Sequence, residues 1–253
     1  MSTIVTPGTR RPMRGVNPLY PSSDGKPMAE NSLQYRWIVT LHGNIDAIFR
    51  ADPAVFVAAD NLVYPVEGHP EICTAPDVYV AFGRPKGDRG SYIVVEEGGI
   101  FPQVVFEVRS PSNSASEMAR KLLFYDQHGA EEYYDFDPKR NRLEIYTRSA
   151  GQLDVVADVD GFVSPRLGIR FDLSGRELVI YRPDGEKFMT FQEITDARNA
   201  EQKRADAERE RADAERERAA RAETQVAVAR RESDRLRAML RAAGIDPDQV
   251  PRN

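Results

Sequence analysis

Two charged side chains interrupt an apolar, strand-like run that reads VVFEVR from Val104 to Arg109. Strand alternation places Val105, Glu107 and Arg109 on one face of this run and the other residues on the opposite face. An ionised carboxylate that is buried without a partner is costly, so a covered Glu107 requires Arg109, a lysine or a metal ion beside it. The alternative is that the face carrying Glu107 is exposed to water. The apolar residues beside Glu107 argue against this alternative.

A lysine on the next helical segment is a candidate partner for this carboxylate. Met118, Leu122 and Tyr125 recur at i, i+4 and i+7 and predict an inward apolar stripe. Lys121 lies about 50° from the centre of that stripe, so it can lean toward the strand. The commoner role for such a lysine is to lie along the flank with its charge in water.

Two aspartates stand at the boundaries of other strand-like runs. Asp77 follows Pro76 at the start of DVYVAF, and Asp60 lies in AADNLVYP. Each is a candidate acid, but Pro-Asp and Asp-Asn pairs most often serve in turns. The basic loop GRPKGDRGS, with Arg84, Lys86 and Arg89, could contact a phosphate backbone. It lacks the spacing of a Walker loop, however, and a solvated hairpin is the favoured interpretation.

The elements that must position these residues begin after a proline-rich lead-in. Residues 1–30 are expected to be irregular, because repeated prolines prevent both helix and ladder pairing. From Asn31 or Ser32, apolar residues at intervals of three or four predict an amphipathic helix that ends near Phe49.

Strands and one further helix follow. A helix is predicted from Ser114 to Gln127, with Gly129 closing it. Five β-rich runs precede it and five follow it: AVFVAA, NLVYPV, DVYVAF, SYIVVEE and QVVFEVRS, then EEYYDF, RLEIYTR, LDVVAD, LGIRFD and ELVIYRP. The predicted fold class is therefore α/β (α+β), with a mixed sheet flanked by helices and ending around residue 190.

The C-terminal segment has a different pattern. RADAERE occurs at 204–210 and again at 211–217, within a stretch of Ala, Glu and Arg that predicts a helix over 193–243 and a short tail over 244–253. Heptad spacing favours a coiled coil, with Ala219–Leu240 as its better half, and hence a homo-oligomer. A single charged helix held by i to i+4 pairs remains the alternative.

Composition narrows the possible functions. The 253 residues are 41% hydrophobic, enough for a sizeable core, and the net charge of −5 argues against nucleic-acid binding through a large basic surface. The single cysteine, Cys73, excludes an intramolecular disulfide framework, and the three histidines lack metal-ligand spacing. No signal-peptide or membrane-span pattern is present, so a cytoplasmic location is expected.

Taken in order, four stretches resemble a known family. They are APDVYVAFG with Asp77, VVFEVRSPSNS with Glu107, ARKLLFYDQHGAEEYYDFDP with Lys121, and GFVSPRLGIRFD. Together they resemble the Uma endonuclease family, within the PD-(D/E)XK restriction-endonuclease-like superfamily, from about Val55 to Ile194. The resemblance implies a restriction-endonuclease-like domain over 31–192.

The resemblance also implies roles for individual residues. Asp77 corresponds to the motif aspartate, Glu107 to the second acid, and Lys121 to a motif lysine that has moved from the strand to the helix. Arg109 stands where the superfamily usually keeps lysine. It either substitutes as a cation or pairs with Glu107, and its high pKa prevents it from shuttling protons.

This set of groups predicts metal-dependent chemistry on DNA. Asp77, Glu107 and the backbone carbonyl of Val108 are hard oxygen ligands suited to Mg²⁺ or Mn²⁺, and Asp60 is a further candidate for the same site. Lys121 would orient a water and stabilise charge. The alternative function is a catalytically inactive scaffold that serves as a protein-interaction or oligomerisation module.

Overall fold

The computed structural model describes residues 17–25, 27–244 and 246. The predicted lead-in over 1–30 and tail over 244–253 therefore lie largely outside the described residues. The chain divides into two compact units at Phe191 and Gln192. The elements of the first unit are α1 (Ser32–Ile48), β1 (Val55–Ala58), β2 (Val63–Tyr64), β3 (Val78–Phe82), β4 (Tyr92–Ile93), β5 (Val104–Val108), α2 (Ala115–His128), β6 (Glu132–Asp137), β7 (Arg142–Ser149), β8 (Gln152–Val155), β9 (Arg170–Asp172) and β10 (Val179–Tyr181).

The first helix begins at a side-chain cap. The side chain of Asn31 accepts hydrogen bonds from the backbone N–H groups of Leu33 and Gln34, which have no partner within the helix. The apolar stripe of α1 then packs into the main core, through Ile38, Leu41 and Ile45. The predicted helix over this segment agrees with the structure to within a residue or two.

A six-stranded sheet carries the first unit, in the order β1-β3-β5-β6-β7-β8. β5 and β6 are parallel, and the other neighbouring pairs are antiparallel. Every residue of β5 is buried, because Val104, Phe106 and Val108 face one apolar cluster while Val105 faces another. The predicted mixed α/β fold class is confirmed, and β5 lies inside the sheet.

The second helix connects the two parallel strands. Ser114 caps its start by accepting from the N–H of Glu117, and Gly129 ends it in the left-handed conformation at φ 95°. Tyr125 of α2 packs in the same cluster as Val105 of β5. α2 therefore covers the face of β5 that carries Glu107.

Three segments differ clearly from the sequence expectation. NLVYPV and SYIVVEE form only the two-residue strands β2 and β4. The predicted basic hairpin instead buries the side chain of Arg89, whose Nε lies 2.7 Å from Oε1 of Glu97 and whose guanidinium lies 3.6 Å from the ring centre of Phe56. Arg89 is therefore neither exposed to water nor available to contact a phosphate, because it is paired with the buried carboxylate of Glu97 and packed against the ring of Phe56.

The last element, α3 (Phe191–Ala242), is a helix of 52 residues with no buried side chain, and all of it after Phe191 belongs to the second unit. Pairs such as Arg221 with Glu217, at 3.1 Å, lie along its surface at i, i+4 spacing. Among the residues described, no helix is long and apolar enough to cross a membrane.

Candidate functional site

Four acidic side chains form a row across adjacent strands. The antiparallel register of Val78 with Phe106 places Asp77, just before β3, opposite Glu107. Glu107 pairs with Asp135 across the parallel β5–β6 ladder, and Asp135 pairs with Glu144 across β6–β7. Because paired residues share a face, the four carboxylates point to the same side of the sheet.

Glu107 lies at the centre of this row and is only 2% exposed. Its Oε2 accepts a hydrogen bond from Nζ of Lys121 at 2.7 Å, and its Oε1 accepts one from the hydroxyl of Tyr125 at 2.5 Å. Both donors come from α2, one turn apart. Lys121 therefore leans toward the strand, and the alternative of a water-exposed face is wrong.

Lys121 is held as a cation by its surroundings. Burial acts to lower the pKa of this lysine, but the charge and hydrogen bond of Glu107, together with the charge of Asp77, raise it above the ordinary value. An ammonium group at this position cannot give up its proton near neutral pH. It can donate hydrogen bonds and stabilise negative charge.

Asp77 is the second acid of the site. Its Oδ2 accepts a hydrogen bond from the backbone N–H of Val108 at 2.6 Å, which ties the start of β3 to the end of β5. Burial, followed by the neighbouring charge of Glu107, raises the pKa of Asp77 well above its usual range. Glu107 is therefore close enough to Asp77 for its charge to oppose ionisation of Asp77.

Gln34 is a site residue that the sequence reasoning missed. It is 7% exposed, its Nε2 donates to the carbonyl of Val108 at 2.9 Å, and its Oε1 accepts from the N–H of Glu30 at 3.0 Å. The backbone acceptor on one side and the backbone donor on the other fix the orientation of the amide. The sequence could have indicated a buried Gln34, because this residue lies four positions before Ile38, within the apolar stripe of α1.

Arg109 does not pair with Glu107, which corrects one of the two roles expected for it. Its Nε and Nη2 bind Oδ1 and Oδ2 of Asp135 at 2.6 and 2.5 Å, and Glu144 lies 3.8 Å from Nη2. Burial raises the pKa of Asp135 even though Arg109 acts to lower it. The hydrogen bond to Asp135 in turn raises the pKa of Arg109. Arg109 therefore pairs with Asp135, the acid next to Glu107 in the row.

Asp60 takes up a turn conformation near this site. It has a φ of 54°, which aspartate tolerates better than most residues, and its N–H donates to the carbonyl of Pro76 at 3.1 Å. Burial and then the charge of Asp24 raise the pKa of its carboxyl. Asp60 therefore supports the backbone beside Asp77, and its charged neighbour is Asp24.

The donor set of the site fits a hard divalent cation with few protein ligands. No group of three or more His, Cys, Asp or Glu suited to a metal ion occurs in the part of the chain that the structure describes. Asp77 and Glu107 offer two crowded carboxylates, and Val108 offers a carbonyl with one lone pair left beside the Gln34 bond. Mg²⁺ commonly binds through one or two carboxylates and completes its shell with water and substrate phosphate.

Asp77, Glu107 and Lys121 thus lie together on one face of a mixed sheet. The family model named Uma2, described as "Putative restriction endonuclease", matches residues 25–173, which is more than half of the chain. The chain belongs to this family, and the membership supports a nuclease-like function.

Four chains among the solved structures match this chain. One of them, described as "a putative nuclease belonging to DUF820 from Anabaena variabilis ATCC 29413", is 15% identical, with a TM-score of 0.45. The match covers 59% of this chain and 82% of that one. No curated protein matches the sequence.

Proposed function

We propose that the chain is an endonuclease that hydrolyses DNA phosphodiester bonds with Mg²⁺ or Mn²⁺. The observation that carries the proposal is the adjoining pair of acids, half-buried Asp77 and buried Glu107, with the ammonium group of Lys121 2.7 Å from Glu107. Two acids held so close that the pKa of one of them is raised are typical of a functional site.

Each residue has a distinct part in the proposed reaction. Asp77, Glu107 and the Val108 carbonyl would hold the cation. A cation held there would polarise the scissile phosphate and lower the pKa of a bound water. Gln34 and Asp77 position the two backbone atoms of Val108, its carbonyl oxygen and its N–H, so the backbone at the end of β5 is fixed before any ligand arrives.

Lys121 acts in this proposal as an electrostatic group rather than as a base. One of its three N–H donors is engaged by Glu107, which leaves the others for the attacking water or a phosphate oxygen. Its raised pKa keeps it charged, so it stabilises the negative charge that develops during hydrolysis.

A second candidate function is a catalytically inactive scaffold. Two observations favour it: Arg109 is committed to Asp135, and the overall charge of −5 disfavours broad contact with DNA. In this case the chain acts as an interaction module that self-associates through the Ala219–Leu240 segment of α3. Self-association is also compatible with the nuclease.

The test combines DNA cleavage with metal binding. Wild type, Asp77→Ala, Glu107→Ala and the control Glu144→Gln are incubated with plasmid and single-stranded DNA in Mg²⁺ or Mn²⁺, and Mn²⁺ affinity is measured by calorimetry. We expect the first two variants to lose cleavage and Mn²⁺ binding and the control, at the far end of the acid row, to keep both. If both alanine variants still cleave DNA, Asp77 and Glu107 are not the catalytic acids. Mn²⁺ binding without any cleavage supports the scaffold.

A further inference from the structure

The helix of the second unit presents an uncovered apolar stripe. Val226 and Leu236 are 53% and 56% exposed, and no side chain of α3 is buried. Most helices in proteins are stabilised by packing of one face, and no such packing occurs among the residues of this unit that the structure describes. The stripe contains residues at heptad spacing: Ala219, Ala222, Val226, Ala229, Ser233, Leu236 and Leu240.

We propose that the segment Arg218–Leu240 pairs with the same segment of a second copy as a parallel two-stranded coiled coil. With Ala219, Val226, Ser233 and Leu240 at position a, a residue at position g meets position e of the other helix five residues later. Arg218 then faces Glu223 of the partner subunit, and Glu232 faces Arg237 of the partner subunit. Both contacts join opposite charges, and each occurs twice in a symmetric dimer.

The same charges disfavour the antiparallel arrangement. When the apolar layers of two antiparallel helices are matched from Ala219 to Ala243, Arg230 meets Arg230 of the partner subunit. Glu232 likewise meets Glu232 of the partner subunit. Glu223 then meets Arg237 of the partner subunit, but like charges face each other at the centre of that pairing. The parallel pairing has no like-charge contact, so charge complementarity selects the parallel orientation.

Charge also limits how far the coiled coil extends toward the first unit. In the repeated RADAERE segments, Arg204 and Arg211 occupy position g, and Arg209 and Arg216 occupy position e. Parallel pairing would therefore bring arginine against arginine at each of these positions. The stripe there also consists of Ala205 and Ala212 alternating with Glu208 and Glu215. Close pairing accordingly starts at Arg218.

Disulfide trapping of the full-length chain tests the orientation. In a Cys73→Ser background, Ser233→Cys places a thiol at position a, where a parallel dimer brings it against its own copy. Thr224→Cys, at the outward position f, is the matched control. Mild oxidation should cross-link the first variant and leave the second monomeric on a denaturing gel. Antiparallel helices would separate the two Ser233→Cys thiols, so a dimer without this cross-link overturns the proposal.

A charge exchange tests the register independently. Arg218→Glu and Glu223→Arg should each raise the dimer dissociation constant about tenfold, measured by sedimentation of the full chain, because each creates two like-charge contacts. The double variant Arg218→Glu/Glu223→Arg should return to the wild-type value. A monomeric wild type at the highest concentration used, or single variants that leave the dissociation constant unchanged, would overturn the proposed pairing.

Discussion

Replacement of Lys121 by methionine tests the central contact of the site without relying on activity. Methionine keeps an unbranched apolar chain but removes the ammonium group that lies 2.7 Å from Glu107. Removal of one partner from a buried ion pair costs about 3–5 kcal/mol. The lysine side chain is 23% exposed and Tyr125 still donates to the other carboxylate oxygen, so we expect about 2–3 kcal/mol.

The assay is denaturant unfolding in EDTA at neutral pH. The same Lys121→Met change in a Glu107→Gln background should cost less than about 1 kcal/mol, because the uncompensated charge is then absent. Lys139→Met, at an exposed turn position, is the control and should leave the free energy of unfolding within about 0.5 kcal/mol of wild type. An equal cost in both backgrounds would refute the inferred coupling between Lys121 and Glu107.

Three further predictions follow from the neighbouring contacts. Burial and the charge of Glu107 raise the pKa of Asp77, so the stability that Asp77 contributes is lost as the pH rises through its folded-state pKa. The Asp77→Asn variant should therefore have a larger free energy of unfolding than wild type at about pH 8 in EDTA. This difference should disappear near pH 4. Equal pH profiles would contradict this. Gln34→Leu leaves the Val108 carbonyl without its donor and should cost about 1–3 kcal/mol while weakening Mn²⁺ binding measured by calorimetry; an unchanged affinity would argue against a positioning role. Arg109→Met should lower the free energy of unfolding by about 3 kcal/mol, measured with denaturant. Adding Asp135→Asn should recover most of this loss, since the buried charge is then removed. No recovery would mean that the loss does not come from an unpaired Asp135.

Local sequence rules were sufficient for α2 and for the meeting of Glu107 with Lys121. The cap at Ser114, the left-handed glycine at 129 and the stripe through Tyr125 define the helix and its inward face within a single stretch of chain. Because α2 follows β5 directly, the lysine and the glutamate are separated by only 14 residues. Side-chain periodicity therefore predicts their contact once the strand is known to be covered.

The partners of Arg109 and Arg89 could not be obtained in this way. Arg109 meets Asp135 only because β5 and β6 pair in parallel with one particular register, and the sequence alone does not fix that register. Arg89 is buried because Glu97 and the face of Phe56 converge on it from separate segments. Strand pairing and tertiary packing thus give Arg109 an acid other than Glu107 and remove Arg89 from the solvated role expected of its loop.

The contact between Gln34 and Val108 also sets an order for assembly of the site during folding. The bonds Lys121–Glu107, Asp77–Val108 and Gln34–Val108 close chain segments of 14, 31 and 74 residues. Loop-closure entropy makes the last bond about 1.5 kcal/mol harder to form than the first. We therefore expect the acid–lysine pair to form first and α1 to dock last. Transient opening of α1 would release the Val108 carbonyl while Glu107 and Lys121 stay paired.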